Sequence, residues 1–560
     1  EAGVLPMFGM PTSVRDLYFK LPQGAYGGGG IAQSLNRPSD QAIADFAPGS
    51  ERTWDKRRLT PKYITGPMIN HPGNGRWTSI GSSPVGAAFV HVQCADCRHL
   101  HVERVHVAKF EEYPELSDDS LWDNQWLKGP PSGVSCPNCG SPAAKPYMAI
   151  SPRAFATDMD TNKPALGGGE GRGRSGATHI SSPKLSDEGY ETVLNTQLKL
   201  GRQASVYRTN TNLGDYFGFV KVEKITEGSQ PWWHAEGKSI WQASEDNPDF
   251  RVALTSQKTT DILAIRMQDA GGLKYFEDLN HGALTRRRAA WYTAATILQR
   301  AIALELDVDS MDIEIASVHA LSGVGGAELY LADAHPNGAG LVDSARDNWQ
   351  SILKGCLFAE GEMAQMGSAI REELLRAEKE GDEWRSPDLL LRGFRNRQVH
   401  GLLDWELGIE LLASMLDKEF KPGLDTVATG KVLPVGREGS WLDRAAGLVD
   451  VYVSNWPKNV GSVVHDEKVH GWIEDEVLNV VVHPLWDGYA GSKNAVGDAH
   501  RAAAREGVGK IRRIDSFNLK RRMVWVRANR DTYFRDEDIQ SGPTTSGPPD
   551  HGRGVSHALS

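Results

Sequence analysis

The chain is poor in cysteine, with five in 560 residues, which excludes the disulfide-stapled composition of a small secreted domain. It lacks any apolar run near the ~18 residues that a membrane span requires. It also lacks a basic-then-apolar leader of signal-peptide type. With reduced cysteines, these absences predict a cytoplasmic protein with no membrane partner. An excess of positive charge is missing too. Sixty-two Lys and Arg stand against 72 Asp and Glu, a net charge of −10, so the chain has no uniformly basic coat for nucleic acid, and only local patches remain open. The chain starts at Glu1 without an initiator methionine, on the segment EAGVLPMFGMPTSVRDLYF. The expectation is that a leader has been removed or that this is the C-terminal part of something longer.

What is present begins with the placement of those few cysteines. Four fall into two Cys-x-x-Cys pairs, Cys94/Cys97 in QCADCRH and Cys136/Cys139 in SCPNCGS, with 38 residues between Cys97 and Cys136. A Cys-x-x-Cys turn converges two thiolates on one cation, and two turns complete a closed tetrahedral site. Pro137 and Gly140 suit a tight second turn. The pattern predicts one structural Zn2+ with no open position for catalysis. A pair of redox motifs is the bland alternative, but neither pair sits in a thioredoxin-type strand-to-helix unit. His99, His101 and His106 are spare donors beside a shell that four thiolates already fill.

The length predicts several domains and a mixed α/β (α+β) fold, β-rich in its N-terminal half. Residues 1–87 read as irregular β structure with a Gly27–Gly30 run, and 88–145 as a zinc ribbon entered through the strand Phe89–Gln93. An acidic, Trp-containing insert, Glu111–Trp126, lies between the knuckles. Residues 146–280 read as β-rich, with a glycine loop at Gly167–Gly176 that composition assigns to a solvated linker. Residues 281–534 form an α/β domain. Its first helix is long and largely buried, from the spacing of Ala290, Ala294, Ile297, Leu298, Ala301, Ile302 and Leu304. A hairpin of MDIEIASV and AELYLADA follows, then a helix over Leu341–Leu357, a charged helix over Ser368–Lys379, an apolar helix over Leu402–Leu416 and the strand VLNVVVHPLW. Residues 535–560 have a disordered-tail composition.

Chemistry-bearing motifs mostly fail their spacing tests. EGKS (Glu236–Ser239) resembles the end of a phosphate-binding loop, but Trp232 stands where that loop needs glycine. QLKLGRQAS (Gln197–Ser205) is one residue out of register with a helicase arginine-finger motif. HDEKVH (His465–His470) has its histidines five apart, so they would not share a helix face as HExxH does. Neither a Walker A nor a DExH motif is present, so ATP would belong only to a missing or partner motor domain. Asp312, Glu314 and Asp333 suggest a carboxylate cluster for a metal-dependent nuclease, without the usual strand lysine; the bland alternative is a solvent-facing strand edge. Residues 501–530 carry ten Lys or Arg against two acids. Arg512, Arg513, Lys520, Arg521 and Arg522 there neighbour Phe517 and Trp525, a pairing of phosphate-neutralising cations with stacking faces. The competing reading is a surface element packed on an acidic neighbour.

Six segments in order resemble the C-terminal region of a bacterial superfamily-2 DEAD/DEAH-type helicase carrying an MrfA-like zinc-binding domain, with DrmB-like relatives. They are EAGVLPMFGMPTSVRDLY with IADFAPGSERTWDKRRLT, the cysteine ribbon, KTTDILAIRM, LYLADAHPNGAGL, RNRQVHGLLDWELG, and VVVHPLW with DSFNLKRR. The resemblance implies DNA as partner, single-stranded or branched, and a RecA-like motor in cis or in trans. It also implies DNA repair or phage defence as context. Two further readings are a stand-alone scaffold subunit for a separate helicase and the nuclease above. In the matched turn, Asn337, Gly338 and Gly340 permit positive φ before a helix. In the signature that holds Asn396, His400, Asp404 and Trp405, His400 and Asp404 are i, i+4 and read as a structural pair. The family's cysteine cluster before that signature is replaced here by EWRSPDLLLRGFRN, and another Cys-x-x-Cys is missing from FGFVKVEKITEGSQPWW. Cys356 lies upstream alone, so that zinc site is expected to be lost, with Leu389, Leu390, Leu391 and Phe394 packing in its place.

Overall fold

The computed structural model describes residues 13–21, 32–70, 77–81, 83–105, 135–158, 178–227, 230–235, 240–276, 284–321, 325–358, 365–380, 388–393, 396–425, 441–466, 469–487, 499, 501–503, 505–534 and 536–538. The Gly27–Gly30 run, the Glu111–Trp126 insert, the Gly167–Gly176 loop, EGKS, Phe394 and the tail lie outside them. The mixed α/β, multi-domain architecture expected from the sequence is observed. Two compact units divide the chain. One comprises Glu1–Asp269, Tyr275–Phe420 and Gly430–Gly436, the other Ala270–Lys274, Lys421–Thr429 and Arg437–Ser560.

The first unit is organised by one 18-residue strand, Phe250–Met267, at the hub of a fifteen-stranded mixed sheet. Its first half runs parallel to Ala144–Pro152 (Ala149↔Ala253) and antiparallel to Phe217–Val222 (Phe217↔Val252). Its second half lies between the strands Thr196–Asn210 and Ala327–Asp333, both antiparallel. Val252 to Ser256 and Thr260 to Met267 are all buried. A strand covered on both faces reads as continuous apolar runs rather than alternation, and DILAIRM has that character.

The expected hairpin forms from Ile313–Ala320 and Ala327–Asp333, in register from Ile313↔Asp333 to Ala320↔Ala327. The long helix Arg286–Leu306 packs over it, with Ala289, Ala290, Trp291, Ala294, Ile297, Leu298 and Ile302 buried, whereas Leu304 in its last turn is exposed. The predicted helix over 341–357 is two helices, Leu341–Asp347 and Trp349–Leu357. They break at Asn348, whose φ of −101° and ψ of 18° leave the helical basin. The apolar helix begins at Trp405 rather than Leu402, because Asp404 is its N-cap and accepts from the Leu407 amide.

The second unit holds a five-stranded sheet ordered Ser462–Asp466, Val469–Glu474, Val477–Val482, Lys510–Asp515 and Asp536–Asp538. Asp475 and Glu476, both at positive φ, make the two-residue turn between its second and third strands, the primed geometry that matches strand twist. The helices Trp441–Asn455 and Ser516–Tyr533 belong to the same unit. Among the described residues, no helix is long and apolar enough to cross a membrane.

Gly408 shows how closely the helices of the first unit pack. A Cβ there would lie 2.6 Å from Thr293 Cγ2 and 3.1 Å from the Ala294 amide nitrogen. Thr293 is β-branched and its Oγ1 is fixed by the Ala289 carbonyl at 2.7 Å, so it has no alternative rotamer to retreat to. Alanine would gain about 1 kcal/mol of helix propensity over glycine, but overpacking costs about 1–3 kcal/mol. Gly408→Ala is therefore expected to lower the chemical-denaturation midpoint without changing the slope, whereas an unchanged or raised midpoint would show that the interface gives way freely.

Candidate metal centre and basic helix

Cys94 ends the strand Val85–Cys94, which pairs antiparallel with Ala144–Pro152 from Cys94↔Ala144 to Val85↔Pro152. The two knuckles sit at the open end of this ribbon and repeat one design. The Arg98 amide closes the first turn on the Cys94 carbonyl at 3.2 Å, and the Gly140 amide closes the second on the Cys136 carbonyl at 2.8 Å. The residue after each second cysteine is left-handed, Arg98 at φ 63° and Gly140 at φ 70°. Glycine adopts that conformation without strain, whereas arginine holds it at a cost of about 1 kcal/mol or more.

The four thiols converge. Their sulfurs all lie within 4.8 Å of one another, with Cys94 Sγ to Cys139 Sγ at 3.7 Å and Cys97 Sγ to Cys136 Sγ at 3.6 Å. All are free of disulfides. A tetrahedral cation with ~2.3 Å metal–sulfur bonds sets its ligands ~3.8 Å apart, so the arrangement fits a tetrahedral thiolate site with little movement. Without a cation two of the four thiols resist ionisation. Burial pushes the Cys97 thiol up and Cys139 up to about 11. Burial opposes ionisation of Cys94 as well, but the Cys97 and Asp96 amides and the neighbouring thiols outweigh it and bring that pKa down. Four thiolates at neutral pH therefore require a positive partner at their centre.

Sequence reasoning missed the groups that fix these ligands. The amides of Cys97 and Asn138 donate to Cys94 Sγ and Cys136 Sγ, each at 3.4 Å. Asn138 Nδ2 lies 3.6 Å from Cys97 Sγ and donates to the Ala320 carbonyl at 3.2 Å, while the Ala320 amide donates to the Cys97 carbonyl at 3.0 Å. The knuckles are thereby tied to the end of the strand Ile313–Ala320. Ser141 Oγ joins the two by donating to Asp96. The polar residue before the second cysteine of CPNC was the available signal.

The carboxylates considered for a nuclease do not open onto a common metal position, which corrects that reading. Glu314 is held by Lys258 Nζ at 2.6 Å and Arg208 Nη2 at 3.0 Å, and the two cations hold its carboxyl below the usual range despite burial. A lysine is present after all, contributed by a strand distant in sequence. Asp312 faces His335 Nε2 at 3.1 Å. Asp333 accepts from the amides of Ala339, Gly340, Leu341 and Val342, so it caps the helix that follows the turn. Asn337, Gly338 and Gly340 take positive φ in that turn as expected, and a Cβ on Gly338 would meet Asp261 Oδ2 at 2.7 Å.

His400 and Asp404 do not form the expected pair. His400 Nε2 lies 2.7 Å from Asn396 Oδ1 and 3.0 Å from the Gly393 carbonyl, within a 3-10 turn, and Asp404 is already the helix cap. The i, i+4 argument fails because no α-helix runs through both residues. Asn396 ties the segment together through the Leu391 carbonyl and the Gly393 amide, and Trp405 and Leu391 are buried. Cys356 is buried in the helix Trp349–Leu357, where burial raises its thiol pKa.

The basic stretch separates into two populations. Arg512 is 5% exposed and bridges Asp531 and Asp536, both at 2.7 Å, so it belongs to the sheet rather than to a phosphate. Arg527 and Arg530 converge on buried Glu474, at 3.1 and 2.6 Å. By contrast, Lys520 and Arg521 stand on the exposed side of the helix Ser516–Tyr533. Arg522 breaks the helical conformation at φ −148° and sets its guanidinium 3.8 Å from the Trp525 ring centroid, and Trp525 stacks on Tyr533 at 5.2 Å. Arg513 is half-buried on the strand before it.

No protein-family model and no curated protein matches the chain. Among solved structures, a similar one is described as a crystal structure of the DUF1998 helicase MrfA bound to DNA. It is 14% identical at a TM-score of 0.19, over 32% of this chain and 20% of that one. A likeness of that extent fixes neither fold nor activity.

The purified chain is expected to hold one tightly bound metal ion, measured by elemental analysis. Uptake into the metal-free protein should release protons, and retention should fall as pH drops, because protons compete for the thiolates. Cys136→Ser should yield less than one ion per chain and poor solubility. Full metal content with normal solubility in that variant would show that the ligands are others.

Proposed function

We propose that this chain is a zinc-stapled, nucleic-acid-binding accessory region of an ATP-dependent DNA helicase, one that holds a DNA strand for a RecA-like motor in cis or in trans. The observation that carries the reading is the helix Ser516–Tyr533, which exposes Lys520 and Arg521 beside the Arg522–Trp525–Tyr533 aromatic and guanidinium stack. Cations next to flat π surfaces are what unpaired bases and their phosphates bind. The six ordered segments that resemble MrfA-like helicases support the motor partnership, and four thiols with tetrahedral spacing support zinc over harder metals. DNA repair or phage defence is the context that resemblance implies.

Binding of the metal-loaded chain to fluorescent single-stranded DNA tests the reading. Lys520→Glu with Arg521→Glu should weaken binding at least about 10-fold and lower the salt slope by about 1 per lost phosphate contact. Trp525→Ala should cost roughly 1–3 kcal/mol if a base stacks there. Adding ATP should give no turnover that tracks the protein. Affinity unchanged in both variants would remove the helix from the interface, and protein-linked ATP hydrolysis would overturn the accessory role.

A further inference from the structure

The strands Ser462–Asp466 and Val469–Glu474 are antiparallel neighbours in which His465 stands directly opposite His470. Five residues apart cannot share a helix face, but across a tight hairpin that separation makes direct partners, with both side chains on one face of the sheet. Val464 and Val469 point into the core. The histidines point the other way, toward the side where Trp472 stacks on Tyr452 of the helix Trp441–Asn455, at 4.0 Å. His465 Nδ1 and His470 Nδ1 face each other at 3.1 Å, and Asp450 Oδ1 on that helix lies 3.2 Å from His465 Nε2.

This geometry constrains the protons. A carboxylate only accepts, so His465 Nε2 carries a hydrogen and, in the neutral ring, its Nδ1 is a bare lone pair. That lone pair accepts from His470 Nδ1–H, and a single proton lies between two imidazole nitrogens. Metal–nitrogen bonds of ~2.0–2.1 Å at angles of about 90–110° place two ligand nitrogens ~2.9–3.4 Å apart. The observed 3.1 Å lies inside that window. We propose that His465 and His470 form a second metal site, for an exchangeable divalent transition ion, with Asp450 as the carboxylate that orients His465.

The ion replaces the shared proton. His470 gives up its Nδ1 hydrogen, keeps its ring neutral with the hydrogen on Nε2, and both Nδ1 lone pairs bind the cation. Neutral imidazoles select zinc, nickel or copper over magnesium or calcium. Asp450 takes the role of the outer carboxylate that fixes tautomer and ring orientation in histidine metal sites. Asp443, Asp450 and Asp466 all place negative charge around His470, and Arg505 bonds Asp466. With two protein ligands the remaining positions belong to solvent, so this ion exchanges readily whereas a four-cysteine site is closed.

The test titrates Ni2+ alone into the full chain with its cysteine site already loaded, following heat and the ring resonances of 15N-labelled histidine. The wild-type chain should take up one further equivalent, with the His465 and His470 signals lost first. His470→Ala should abolish that equivalent while leaving the first metal and the circular dichroism unchanged. Asp450→Asn should weaken it roughly 10- to 100-fold. The proposal is overturned if the loaded wild-type chain takes up no second equivalent, or if His470→Ala binds it as tightly as wild type.

Discussion

Four thiols, three of them buried, held within one small volume are the constraint on which the first unit most depends. Burial opposes ionisation at Cys97 and Cys139, so four thiolates would be stable together only around a cation. The four thiols join more than two turns. The ribbon that runs from Cys94↔Ala144 feeds the parallel pairing of Ala149 with Ala253 on the central strand. The knuckles also close onto the end of the strand Ile313–Ala320 through Ala320 and Asn138. The four thiols thus lie where strands distant in sequence come together.

Elsewhere, three inward-facing glutamates are neutralised in place, whereas buried Asp333 and Asp404 accept from backbone amides. Glu314 has Lys258 and Arg208, Glu474 has Arg527, Arg530 and Tyr452, and Glu328 has Arg266, His319 and Tyr190. A buried ion stripped of its partner costs several kcal/mol, so these cations are committed to the fold. That commitment divides the basic segment near residue 520, where local density of Lys and Arg overstates what is available for a phosphate.

The legible features were those whose physics is local. Cys-x-x-Cys spacing is set by a single turn, the long helix by its 3.6-residue period, and the Ile313–Asp333 hairpin by two apolar runs around glycines. All three are present. What failed needed knowledge of a partner. Arg512 looked like its neighbours until Asp531 and Asp536 reached it, and His400 and Asp404 matched i, i+4 spacing although no helix joins them. His465 and His470 were set aside on helical geometry, and only strand register brings them face to face.

The ribbon also bears on how such a chain can change over evolutionary time. A metal held by the four thiols would pin its ends independently of the polypeptide that joins them, 38 residues between Cys97 and Cys136. Closing a loop costs only about 0.6 kcal/mol more for each doubling of its length, little against the on the order of 10 kcal/mol that a thiolate zinc site contributes. Descendants of this fold are therefore free to lengthen, shorten or replace that stretch, and to graft a new module there, while the scaffold beneath keeps its shape.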